Sequence, residues 1–142
     1  MAELELHGLT RAEKVKSGAV DTAVVVAIEA VGLALAPFTF TVSSVLSSLL
    51  CAAYVAFKDV GEGGVGRRLF GGEVSTVGGE APSIGRLIGR NLPLAAALTL
   101  GALPDPLGLA GLFVASLVLL GEATFLMLTG KRLGDLLTGT RT

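Results

Sequence analysis

At 142 residues the chain has room for one domain. It is 51% hydrophobic and only 16% charged, with a mean hydropathy of +0.74. That falls short of the roughly 25% charged residues of a soluble domain and points to a membrane protein. A formal charge of −1 and no interleaving of basic with aromatic side chains argue against a nucleic-acid partner.

Residues 1–17 are polar. Glu3, Glu5 and Glu13 stand where a secretory leader would be basic, so no signal peptide is expected. The sole histidine, His7, has no cysteine ligand near it, so neither a metal nor a cofactor is expected. No serine has a histidine base, and the chain does not read as an enzyme.

A membrane-crossing helix needs about 20 mostly apolar residues. The first candidate span, Gly18–Ala36, is followed by Pro37, expected to break the helix. It keeps two acids, Asp21 about 5 Å and Glu29 about 16 Å from its first residue at 1.5 Å per residue. Eight residues apart, they lie roughly 80° apart around the helix and can share an inward side.

The second span, 38–57, carries Ser44, Ser47, Ser48 and Cys51 on one face, either for close packing or as hydroxyls beside Glu29. As the lone cysteine, Cys51 cannot close an intramolecular disulfide.

A loop over 58–83 follows, rich in glycine. Its stretch "GEGGVGRRLF" lacks the Gly-Lys-Ser/Thr ending of a nucleotide cradle. Arg67 and Arg68 suit anionic head groups instead. The stretch "EVSTVGGEAP" predicts a short hairpin.

The third span, 84–103, opens with Arg86 and Arg90 on one helix side, suited to snorkelling towards lipid phosphate. The segment reaches spanning length only by including "SIGRLIGR", so a re-entrant course is the alternative to a full crossing. Pro104-Asp105-Pro106 makes the next turn. The fourth span, 107–129, holds Glu122 about 10 Å from its last residue, by the same rise. It also carries Gly108, Gly111 and Ala115, a flat face for helix packing or oligomerisation.

All 11 Lys and Arg flank the first span, lie between the second and third, or follow the fourth. Four spans with both termini in the cytoplasm therefore satisfy the positive-inside bias in a cytoplasmic (inner) membrane. The expected fold is an all-α membrane protein, one domain over 1–142, with a short glycine-rich cytoplasmic loop or hairpin between helices 2 and 3.

Three stretches carry a resemblance. "KRLGDLLTGT" (Lys131–Thr140), "GGVGRRLFGGEV" (Gly63–Val74) and "APSIGRLIGRNLPL" (Ala81–Leu94) resemble, in the same order, motifs of the RDD family of small integral membrane proteins. Asp21 and Asp135 fit the two aspartates of its name. Lys14 stands where the family's arginine is expected, and lysine cannot hold an anion bidentately. The resemblance implies a membrane location and a part in transport.

Two functions compete on these residues. In one, Asp21, Glu29 and Glu122 form a polar path for protons, cations or a small solute, in a homo-oligomer, because four helices are few for alternating access. In the other, the acids are structural: a buried carboxyl is neutral and bonds a neighbouring serine, and Asp21 pairs with Lys14 or Lys16. The chain is then an accessory or scaffolding subunit docked on a partner membrane protein through its small-residue faces. Asp135 would brace Arg67 or Arg68. Besides such a partner, the lipid bilayer and its anionic head groups are the expected contacts.

Overall fold

A computed structural model describes residues 10–39, 42–61, 63–71, 74–76, 78–104 and 106–141. It is helical: α1 (Arg11–Thr39), α2 (Val42–Phe57), α3 (Val65–Phe70), α4 (Ile84–Leu100), α5 (Leu107–Thr129) and α6 (Leu133–Thr138). Two-residue strands β1 (Ser75–Thr76) and β2 (Thr140–Arg141) pair antiparallel, Ser75 with Arg141 and Thr76 with Thr140. His7 and Asp105 lie outside the described residues.

Two helices, Arg11–Phe38 and Leu107–Thr129, are long and apolar enough to cross a membrane. Only 17% of the apolar window of each is buried inside the protein. α2, at 16 residues, is apolar but shorter.

Helix α2 packs between α1 and α4, α4 packs on α5, and α1 and α5 touch least among the long-helix neighbours. The core is built of small and medium side chains, Val25, Cys51, Ala52, Val55, Ala95, Leu98 and Ala115 among them. Large apolar residues such as Phe113 and Leu128 point outward. The start of α1, the end of α2, the start of α4 and the end of α5 share one end of the bundle with α3, α6 and the strand pair. Contacts such as Lys14 to Gly130 and Asp21 to Gly66 hold that end together. It is the basic end.

Several expectations are corrected. Pro37 does not end the first helix, which runs on to Thr39; so near the terminus proline removes only the bond its own N–H would have made. After β1 the Thr76 N–H donates to the Glu80 carbonyl at 2.8 Å and the Gly79 N–H to the Thr76 carbonyl at 2.9 Å, a local turn. Ser75 and Thr76 also pair with Arg141 and Thr140, brought alongside by α6. The flat face of α5 is not free for a partner. Gly108, Gly111 and Ala115 are buried, and a Cβ on Gly111 would stand 2.6 Å from the Leu100 carbonyl carbon.

Two other glycines permit contacts between backbones. A Cβ on Gly134 would collide with the Arg90 carbonyl oxygen, and one on Gly66 with that of Ser17. Only the missing side chain lets α6 press on α4 and α3 on α1. By contrast, Gly121, in the middle of α5, has open space where its Cβ would be. Gly134→Ala is expected to destabilise by about 1–3 kcal/mol, the usual range for overpacking. Gly121→Ala should be neutral or stabilising by up to about 1 kcal/mol, since alanine favours a helix interior. Thermal unfolding of the two variants in detergent checks the contrast.

Candidate functional site

Arg90 lies on α4, and its side chain is among the most buried in the protein, with 1% exposure. Burying a guanidinium is tolerable only beside negative charge. Two carboxylates supply it from different elements. Asp59, just past α2, lies 3.4 Å from Arg90 Nε, and Asp135 on α6 lies 3.1 Å from Nη2. They approach off the N–H directions, since Nε, Nη1 and Nη2 have no well-directed hydrogen-bond partner among the described residues. The attraction is therefore mainly coulombic, strengthened by the low-dielectric surroundings.

Each carboxylate is itself anchored. Asp59 accepts from Asn91 Nδ2 at 2.8 Å and meets Arg67 Nη1 at 3.9 Å. Asp135 accepts from the Arg132 backbone N–H at 3.1 Å and from the Thr140 hydroxyl at 3.0 Å. Burial alone would raise the Asp59 pKa; Arg90, Lys58 and the Asn91 amide outweigh it and hold the group below its ordinary value.

Asp21 makes a second junction. It accepts from the Tyr54 hydroxyl at 2.7 Å and from the Gly66 N–H at 2.8 Å, while the Tyr54 oxygen accepts from the Val65 N–H at 3.1 Å. One carboxylate thereby binds α1, α2 and the start of α3. The expected pairing with Lys14 or Lys16 is not what holds it. Lys14 donates instead to the Gly130 carbonyl at 3.3 Å, joining α1 to the end of α5.

The bracing of Asp135 by Arg67 or Arg68 is also corrected. Arg67 is drawn to Asp59, and Arg68 Nε donates to the Gly63 carbonyl at 3.2 Å. Arg86 is exposed as expected, but Arg90 turns inward between the two aspartates and does not reach for lipid.

The three acids of the proposed path are not brought together. Glu29 lies on the seam of α1 and α2, where Ser47 donates to its Oε2 at 2.9 Å. Its Oε1 is buried with no partner among the described residues. Ser48 and Cys51 are buried on the same helix, and the Cys51 thiol lies 3.5 Å from the Val25 carbonyl oxygen. Ser44 supplies the carbonyl that also accepts from Ser47.

Glu122 faces a different space, a cleft of about 550 Å³ between α1 and α5. Lys58 and Arg132 line it too, with Leu119, Leu120 and Met127 in its wall. Among the described residues none of these three charged groups has an ion-pair partner within 4.0 Å. Burial, then the Arg132 charge, lowers the Lys58 pKa against the pull of Asp59, Asp21 and Glu122. No group of three or more metal-ligating side chains occurs among the described residues.

Sequence reasoning missed Asp59, Tyr54, Asn91 and Lys58. A usable signal existed for the first: Lys58-Asp59 closes the second apolar run as Arg90-Asn91 sits inside the third, and a buried arginine needs a carboxylate. Comparison with family models, with curated proteins and with solved structures gives no match.

Asp59→Asn leaves Arg90 short of one counter-charge, and should cost about 3–5 kcal/mol, the range for breaking a buried pair. Because the folded-state pKa of Asp59 is lowered, its contribution is complete above the ordinary carboxylate range and is lost as pH falls through the lowered value. Thermal unfolding from neutral pH into acid should therefore show a steeper loss for the wild type than for Asp59→Asn.

Proposed function

We propose that this is a four-span integral membrane protein of the RDD type that takes part in transporting a small solute. Both of its ends lie in the cytoplasm, and α1, α2, α4 and α5 are its spans. The clustering of Lys and Arg at one end of the bundle supports that orientation, and the outward-facing apolar side chains support the lipid setting. α2 and α4 are short for full spans, at 16 and 17 residues. The bilayer accommodates such lengths by local thinning or by oligomerisation. Oligomerisation also suits transport, for which four helices are few.

One observation carries the reading: the cleft between α1 and α5, faced by Glu122, Lys58 and Arg132, none of which has an ion-pair partner within 4.0 Å among the described residues. Of the three, Glu122 lies inside a span, where an ionisable group is costly and is by default a candidate functional residue. The path differs from a single column of acids. Asp21 is occupied as a junction and Glu29 lies on another seam, so Glu122 is the acid that meets a solute. The accessory-subunit reading loses one of its features, since α4 already covers the small-residue face of α5.

Proteoliposomes with a pH-sensitive dye inside test the reading across imposed gradients of sodium, potassium and small organic anions. The wild type should respond to at least one gradient, Glu122→Gln at least five-fold more slowly, and Arg86→Gln as the wild type does. Silence to every gradient from folded protein, with stoichiometric co-purification of another membrane protein, would establish the accessory role instead.

A further inference from the structure

The charge around the cleft is lopsided. Lys58 and Arg132 in its lining are opposed only by Glu122. Arg132 reaches across towards α1, where a Cβ on Gly18 would lie 3.8 Å from its Nη2. Just past the end of α5, Lys14 bonds the Gly130 carbonyl, and the Arg11 side chain lies against Gly130. Two cations thus line the cleft, and two more lie at Gly130. The neighbouring acids Asp59 and Asp135 are shared with Arg90 and Arg67 and so offset these cations only in part. Asp21 is turned to Tyr54 and Gly66. Glu122 stands seven residues before the end of α5, about 10 Å deeper at 1.5 Å per residue.

The rest of the wall is aliphatic, with Val15 and Leu126 joining the leucines and methionine already named. α1 and α5 touch little, and Leu120 and Met127 of the wall are exposed, so in the proposed membrane setting the groove is open to lipid. A cationic mouth continuous with an aliphatic groove matches a molecule with an anionic head and a hydrocarbon tail. A free anion would leave the groove bare. A zwitterionic lipid would bring its own cation to a mouth already lined by two.

We propose that the cleft binds one anionic phospholipid of the cytoplasmic leaflet, its phosphate between Lys58 and Arg132 and an acyl chain along the α1–α5 wall. Arginine's planar fork suits phosphate, and basic pockets between spans at the cytoplasmic side are a recognised setting for lipid head groups. This rests on taking the cleft as the binding site and names the class of its ligand. It does not rest on solute movement.

Native mass spectrometry of the protein, released from mild detergent after equilibration with equal phosphatidylglycerol and phosphatidylcholine, gives the test. One phosphatidylglycerol per protomer should be retained, at least ten-fold in preference to phosphatidylcholine. Arg132→Gln should reduce that preference about ten-fold, and Ala123→Trp, which fills the cleft, should abolish retention. Glu122→Gln should strengthen it, and Arg86→Gln should leave it unchanged. Millimolar inorganic phosphate should not displace the lipid; displacement would assign the mouth to free anions and overturn the proposal. Equal retention of the two lipids, or phosphatidylglycerol retention unmoved by Ala123→Trp, would also overturn it. Failure of the flux assay with lipid retention intact removes only the transport reading, and intact flux with no lipid preference removes only this one.

Discussion

A guanidinium with almost no contact with solvent, caught between two carboxylates, sets the shape of the basic end of this protein. Arg90 comes from α4, Asp59 from the end of α2 and Asp135 from α6. Three elements far apart in sequence therefore share one charge balance, and none can leave without stranding a buried ion. The glycine at 134 belongs to the same device. Without its bare backbone against the Arg90 carbonyl, α6 could not come close enough for Asp135 to reach the guanidinium. Asp21 does for α1, α2 and α3 what Arg90 does for α2, α4 and α6, using hydrogen bonds to Tyr54 and Gly66.

These two junctions explain why α1 and α5 can stand apart. The bundle is tied along α1–α2–α4–α5, and the first and last long helices touch little, with Lys14 of α1 donating to the Gly130 carbonyl just past α5. The gap that remains is where Glu122, Lys58 and Arg132 face one another. Paired aspartates and arginines hold the end of the bundle, whereas Glu122, Lys58 and Arg132, without an ion pair among the described residues, face the cleft. That division is the physical basis for assigning binding to the cleft.

Much of the helical layout was legible in the sequence. The fourth apolar run and α5 share their bounds, Leu107–Thr129, because hydropathy and the flanking proline and glycine fall at the same places. α1 begins earlier than the apolar run, at Arg11, since polar residues end a hydrophobic stretch without ending a helix. The partners of the charged residues were not legible. Asp21 and Tyr54 are 33 residues apart, and Asp59 and Asn91 are 32 apart. Helical periodicity orders side chains around one helix, and it does not say which helix ends converge. For the same reason Arg90 looked like a partner for lipid, having Arg86 one turn before it, although only one of the two faces the aspartates.

The central claim is that Arg90 and Asp135 act as one unit, and a double-mutant cycle on unfolding free energy measures this directly. Arg90→Met and Asp135→Leu should each destabilise the folded protein strongly. Combined, they should cost less than the sum by about 1–3 kcal/mol, because removing both charges leaves neither buried alone. Strictly additive losses would mean that the two residues do not sense each other, and the junction described here would not exist.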